Sequence, residues 1–257
     1  MEKRSQAFLR LLDIMDDLRE KCPWDKKQTM DTLSYLTIEE TYELVDAISD
    51  KNLNEIKGEL GDLLLHIVFY SKIASETNDF DITDVIHTVC DKLVERHPHI
   101  YGNVVAQTEE EVKANWEKIK LKKGKKSVLE GVPRSLPAMV KATRIQEKAR
   151  GVGFDWEKRE QVFDKVLEEF SELEKEIEKS NDKSNIEKEF GDVLFSMINY
   201  ARFIDIDPEL ALERTNKKFI GRFKYLENEV KRLKKNLTEM SLEEMDKIWD
   251  ESKLQFP

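Results

Sequence analysis

The second half of the chain repeats the first. Shifted by about 130 residues, the two halves coincide in five segments that keep their order. CPWD, ending at Asp25, lies over VGFD, ending at Asp155. IEETYELVDAI (38–48) lies over LEEFSELEKEI (167–177), and GELGDLLLHIVFY (58–70) over KEFGDVLFSMINY (188–200). Asp81 to Arg96 then matches Asp207 to Arg222, and TEEEVKANW (108–116) matches SLEEMDKIW (241–249). Chance likeness between Glu-rich helices does not hold five segments in order at nearly one offset. The 257 residues are therefore a tandem duplication, and the fold is one that half the chain can form.

Within each copy, apolar residues recur at three- and four-residue spacing, the period of a helix with one buried face. Leu36, Leu44 and Ile48 make one such stripe; Ile56, Leu60, Leu63, Leu64 and Ile67 make another. Helices are expected over 5–20, 32–49, 53–76, 82–96 and 109–121, and again over 136–150, 158–180, 185–203, 208–235 and 241–254. Strand signals are nearly absent. The 9 glycines and 6 prolines are about half of what average usage of roughly 12% supplies. The expected fold is all-α, two tandem helical-bundle repeats over 1–121 and 136–257. The linker is expected at 122–135, because KIKLKKGKKSVLEGVPRSLP (118–137) gathers glycines, prolines and lysines.

With 53 acidic against 43 basic side chains the net charge is −10, a poor match to duplex DNA, whose affinity comes from Lys and Arg displacing counterions. The lysine run in the linker has no interleaved aromatic side chains to stack bases, so no nucleic-acid partner is expected. Two cysteines, Cys22 and Cys90, make neither a disulfide framework nor a four-ligand zinc site. No apolar run approaches the roughly 20 residues that span a bilayer, and MEKRSQAFLR carries no signal-peptide core. A cytoplasmic protein with no membrane partner is expected.

The chemistry lies in carboxylates that were duplicated together. Glu39, Glu40 and Glu43 share one helix, and Glu59 and Asp62 follow on the next; the second copy has Glu168, Glu169 and Glu172, then Glu189 and Asp192. Positions i and i+3 lie on one helix face, so each helix presents a carboxylate pair, and a short turn between the two helices lets the pairs converge. Four converging carboxylates repel one another unless a cation sits among them. All-oxygen ligation of this kind suits Mg²⁺, with Mn²⁺ as a substitute. The candidate metal ligands are Glu169, Glu172, Glu189 and Asp192, and the first copy offers a second candidate site in Glu40, Glu43, Glu59 and Asp62. Asn78 to Asp84 lacks the glycine and closing Glu of a calcium-binding EF-hand loop. A di-iron bundle needs an ExxH motif on two helices; His66 follows Asp62, but its counterpart is Ser196, so His66 is read as a surface or core residue. Gly61 and Gly191 sit inside these helices at a cost of about 1 kcal/mol each, which points to close approach of a neighbouring helix or, less commonly, of a phosphate.

Both copies also carry paired cations. Lys218 and Arg222 are one helical turn apart, as are Lys92 and Arg96. They read as an exposed basic stripe or as phosphate contacts, and their retention in both copies favours phosphate. Lys165 precedes Glu169 by one turn, where the first copy has Leu36. Trp116 and Trp249 occupy matched positions, each either a buried aromatic or, for Trp249, a platform for a nucleobase.

The paired EExxE…ExxD constellation, the repeat length and the CPWD and RHPH segments closely resemble the MazG family of all-α nucleoside triphosphate pyrophosphohydrolases. The likeness covers nearly the whole chain. It implies Mg²⁺-dependent hydrolysis of NTPs and dNTPs, broad across bases, to monophosphate and pyrophosphate by a homodimer. The cellular role it implies is nucleotide-pool housekeeping or starvation-linked nucleotide control. It further implies that the C-terminal copy is catalytic, with nucleotide contacts from Lys165, Glu168, Glu169, Lys218, Arg222 and Trp249. Asn185 stands where related C-terminal repeats place a lysine, a role open to Lys183 or Lys188. In a metal-assisted displacement by water, Lys218 and Arg222 stabilise the leaving pyrophosphate, while Glu168 either orients the attacking water or faces solvent. Two other classes remain: a module that binds nucleotide without cleaving it, and a helical scaffold.

Overall fold

The computed structural model describes residues 3–108, 111–112, 115–116, 119, 127–179 and 182–256. The helix expected over 109–121 and the first five residues of the expected linker lie largely outside that set. Among the described residues there is no strand. The chain divides into two compact units, Met1–Gln107 and Thr108–Pro257.

The first unit contains α1 (Lys3–Lys21), a single 3-10 turn (Asp25–Lys27), α2 (Met30–Ser49), α3 (Leu53–Glu76), α4 (Ile82–Arg96) and the one-turn α5 (Pro98–Tyr101). Local chemistry sets the boundaries. Thr29 and Thr32 form a reciprocal capping box that starts α2. Asn52 then accepts from the amides of Asn54 and Glu55 to start α3. Lys51, at φ 56°, lies in the left-handed region and turns the chain sharply between the two helices. The turn makes α2 and α3 antiparallel neighbours: Thr37 Oγ1 lies 2.6 Å from the Tyr70 hydroxyl and 3.0 Å from His66 Nδ1. Met15, Leu33, Val68 and Phe69 are buried where α1, α2 and α3 meet, and Leu36 packs against them. Arg19 ties α1 to α3, donating to the two Glu76 carboxylate oxygens at 2.8 and 2.6 Å.

The second unit contains α6 (Ala138–Arg150), α7 (Arg159–Lys179), α8 (Lys183–Phe203), α9 (Pro208–Arg232), a 3-10 turn (Leu237–Glu239) and α10 (Leu242–Ser252). Asp182 caps α8, Asp207 caps α9 with Pro208 in its first turn, and Ser241 with Glu244 forms a capping box on α10. The pair α7 and α8 repeats α2 and α3, running antiparallel with Phe163 against Tyr200 at 5.2 Å. Val162, Val166 and Val193 are buried on this pair, and Leu226, Val230 and Ile248 form a separate cluster between α9 and α10. Helix α9 stops at Arg232 rather than 235, since Lys234 takes a positive φ of 53°. In each unit the hairpin leaves one apolar face uncovered: Tyr35, Ile38, Tyr42 and Leu60 in the first, Leu167, Phe170, Phe190 and Met197 in the second. No helix among the described residues is long and apolar enough to cross a membrane.

Candidate metal and nucleotide site

Helix periodicity and the hairpin turn together gather the duplicated acids. Ligand oxygens of Glu169, Glu172 and Glu189 all lie within 4.8 Å of one another, and so do those of Glu40, Glu43 and Glu59. Each group draws two carboxylates from the first helix of a hairpin and one from the second. Asp62 and Asp192 lie one helical turn beyond the third ligand and are in neither group of three. The chemistry of the donor sets fits a hard divalent cation: every donor is a carboxylate oxygen, and neither group includes a histidine or cysteine. Glu169 is the most enclosed of the second group, at 8% exposure.

The two groups differ in electrostatics. In the first, burial and then the negative charges of Asp62, Glu43, Glu59 and Glu39 push the Glu40 carboxyl above its ordinary range. Glu59 is pushed up as well, by burial and then by Glu43 and Asp62, against a hydrogen bond with Glu40. In the second, Lys165 Nζ sits 2.7 Å from Glu169 Oε1 and 2.9 Å from Glu168 Oε1. Hydrogen bonds to those two carboxylates hold its ammonium well above the ordinary lysine range.

Beside the second group opens a cleft of about 760 Å³, lined in part by Lys165, Glu169 and Asp192. Its other walls are mostly apolar and include Val128, Leu129, Trp156 and Phe195. Val128 and Leu129 belong to the segment expected as linker, and Lys148 Nζ, donating to Val128 O at 3.0 Å, ties that segment to α6. Sequence reasoning missed the contribution of Val128, Leu129, Gln146 and Trp156 to this cleft. The duplication held one signal, since Trp156 stands over Lys26.

Of the other residues singled out in the sequence, Glu168 is exposed and paired with Lys165. Lys218 is exposed on α9, and Arg222 follows one turn later. Arg222 Nε donates to Phe256 O at 2.9 Å, and its guanidinium lies 5.9 Å from the Trp249 ring centroid. Trp249 is half-buried against Phe219 at 5.1 Å. None of these three lines the cleft. Lys188 Nζ reaches Asn185 Oδ1 at 3.4 Å, so a lysine does stand beside the departing position. His66 is a buried residue of α3, its imidazole held below the ordinary histidine range by burial, against the nearby charge of Asp62. Close approach of another helix among the described residues of this chain does not explain Gly61 or Gly191: a Cβ added at either meets nothing there within 4 Å.

The chain is similar along its length to known proteins. The MazG nucleotide pyrophosphohydrolase domain matches twice, over residues 28–101 and 157–226, and each match contains one carboxylate group. A nucleoside triphosphate pyrophosphohydrolase of Escherichia coli is 42% identical over 254 residues, covering 96% of this chain and 97% of its own. A Thermotoga maritima protein described as a nucleoside triphosphate pyrophosphohydrolase/pyrophosphatase MazG is also 42% identical, over 98% of both chains. With both domain copies matched and likeness along nearly its whole length, the chain belongs to the MazG family of nucleotide pyrophosphohydrolases.

Proposed function

We propose that this protein hydrolyses nucleoside triphosphates, NTPs and dNTPs of any common base, to the monophosphate and pyrophosphate, and that the second copy carries the activity. The observation that carries this reading is the carboxylate group of Glu169, Glu172 and Glu189 beside a cleft that also presents Lys165. Those three carboxylates would hold Mg²⁺, or Mn²⁺ in its place, with Asp192 at the cleft edge as the fourth ligand. The bound ion supplies charge neutralisation on the phosphates and a more acidic water. Lys165, one turn before Glu169, contributes a positive charge to the triphosphate. Glu168, exposed beside the ligands, orients the attacking water and accepts its proton. Lys218 and Arg222 meet the leaving pyrophosphate, and Trp249, whose ring lies beside the Arg222 guanidinium, contributes to nucleotide binding. The uncovered apolar faces of the hairpins support a homodimer, since water-exposed patches of this kind mark association surfaces. Nucleotide-pool housekeeping or starvation-linked nucleotide control in the cytoplasm is the role consistent with such an activity.

The test is product analysis on a panel of NTPs and dNTPs with Mg²⁺, using Glu172→Gln and Glu43→Gln. Monophosphate and pyrophosphate should appear in equal amounts. Glu172→Gln should lower kcat by on the order of 100-fold or more, as removal of a metal ligand does. Glu43→Gln should leave most activity. Equal losses would show that the first copy is needed as well, and an active Glu172→Gln would overturn the assignment.

A further inference from the structure

The guanidinium of Arg222, on α9, has one fixed edge and one open edge. Its Nε donates to the Phe256 carbonyl at 2.9 Å, and the Trp249 ring centroid lies 5.9 Å from the guanidinium carbon. Among the described residues neither Nη atom makes a hydrogen bond or ion pair. Arginine carries five N–H donors in a rigid planar fork, so tying down Nε sets where the four Nη hydrogens point.

The carbonyl that ties it down is itself held. The amides of Gln255 and Phe256 donate to Ser252 O at 3.0 and 2.9 Å, adding one turn beyond the end of α10 at Ser252. Pro257 follows in the sequence, and a residue before proline is disfavoured in the helical region, so the helical run stops here. The Phe256 carbonyl is thereby one of the orphan acceptors at a helix C-terminus, where a cation is a favourable partner. Its ring is seated at Gly221: a Cβ there would stand 2.8 and 2.9 Å from Phe256 Cδ1 and Cε1, inside normal contact distance. Gly221 is a notch that the ring fills. In the first copy Arg96 and Trp116 match Arg222 and Trp249, but Glu95 stands at the place of Gly221 and Lys123 at that of Phe256. The cation and the tryptophan are in both copies; the notch and the ring are in the second alone.

We propose that Phe256 is a positioning residue for Arg222: its ring, seated at Gly221, keeps its carbonyl on Arg222 Nε, so that the open Nη edge is set for a phosphate. The inference rests on the pyrophosphate role given to Arg222 above and adds what orients that side chain. A free arginine loses rotamer freedom when it meets an anion, and one already held loses less, so binding is tighter.

Binding of inorganic pyrophosphate to the full chain, measured by calorimetry with Mg²⁺, tests this without turnover. Phe256→Ala should weaken it about fivefold, the size of ordering one freed side chain, and Phe256→Tyr, which keeps the ring, should restore most of the loss. Gly221→Leu, which fills the notch, should weaken binding about as much as Phe256→Ala, and the two together no more than either alone. Arg222→Ala should weaken it at least as much, and adding Phe256→Ala to that variant should change nothing further. A Phe256→Ala loss that persists in the Arg222→Ala background would show that the ring serves the fold alone. Wild-type binding by Phe256→Ala, or no binding of pyrophosphate by wild type, would equally overturn the inference. Wild-type binding by Arg222→Ala would overturn the role of Arg222 and the inference with it. A chain that shows the expected pattern yet hydrolyses no triphosphate would keep the positioning role and overturn the proposed activity.

Discussion

Lys165 Nζ lies 2.7 Å from Glu169 Oε1, so a side-chain cation occupies the edge of the carboxylate group proposed to hold a metal. The equivalent residue of the first copy, Leu36, is packed against a hydrophobic core, and the acids there repel one another. One duplicated ligand set therefore stands in two electrostatic settings. In the second, the lysine neutralises part of the carboxylate charge; under the proposed function a bound metal would take over that role and free the lysine for a phosphate oxygen.

That relationship predicts opposite effects on metal and on substrate when Lys165 is changed. At about 4 Å and an effective dielectric near 20, a pair of unit charges interacts by on the order of 4 kcal/mol, and solvent at this partly exposed site leaves a fraction of that. Removing the lysine lifts its competition for Glu169. In a Glu43→Gln background that silences the first group, Lys165→Met should bind Mn²⁺ several-fold more tightly without nucleotide, read by the loss of free-ion electron paramagnetic resonance signal. The same variant should have a lower kcat/KM for triphosphates. Unchanged or weaker Mn²⁺ binding would show that Lys165 does not compete with the ion.

The open space at Gly191 makes a second prediction. Glycine in a helix interior is less favourable than alanine by about 1 kcal/mol, and a Cβ at Gly191 meets nothing within 4 Å beyond its own stretch of helix among the described residues. Gly191→Ala should therefore raise the unfolding temperature of the second unit by a few degrees in scanning calorimetry. Gly191 lies between Glu189 and Asp192, so the added methyl should meanwhile lower kcat/KM if a phosphate or a second copy comes close there. Gly61→Ala should stabilise the first unit with kcat/KM unchanged. A Gly191→Ala variant that is both more stable and fully active would show that neither approaches this glycine.

The carboxylate groups were legible in the sequence because both steps that build them are local. The i, i+3 spacing puts Glu169 and Glu172 on one face, and a short capped turn returns the chain so that Glu189 meets them. Asp62 and Asp192 stay outside the groups of three, which depends on side-chain placement that spacing alone does not set. Gln146 was invisible for a related reason. A polar residue on an amphipathic helix reads as a surface position, and its burial comes from a contact 49 residues away with Phe195. The cations on α9 show the converse. Lys218 and Arg222 share a helix face as their spacing requires, yet spacing carries no information about how far that face lies from the acids. Arg222 gives its Nε hydrogen to the Phe256 carbonyl and lies by the Trp249 ring, a placement the spacing did not foretell. The difference between Lys165 and Leu36 was readable because the duplication supplies the comparison within one chain.

The last prediction concerns His66, which stands beside the first ligand set without belonging to it. Its Nδ1 lies 3.0 Å from Thr37 Oγ1, which in turn contacts the Tyr70 hydroxyl at 2.6 Å. Burial is the larger influence on the imidazole and lowers its pKa below the ordinary value of about 6.5; the Asp62 charge opposes it. A folded histidine with a lowered pKa resists a proton that the unfolded chain accepts. The unfolded state therefore binds more protons as pH falls through about 6.5, and stability declines from there toward the folded-state pKa. The raised carboxyls of Glu40 and Glu59 act in the opposite sense in both proteins, so the comparison is with His66→Ser, the residue of the second copy at Ser196. Between pH 7 and pH 5 the slope of wild-type stability against falling pH should be less favourable than that of the variant, whatever the variant's stability at pH 7. Unfolding temperature against pH, followed in metal-free buffer, provides the comparison. Parallel slopes for the two proteins would show that His66 is protonated equally in the folded and unfolded chain, and the burial argument for it would fail.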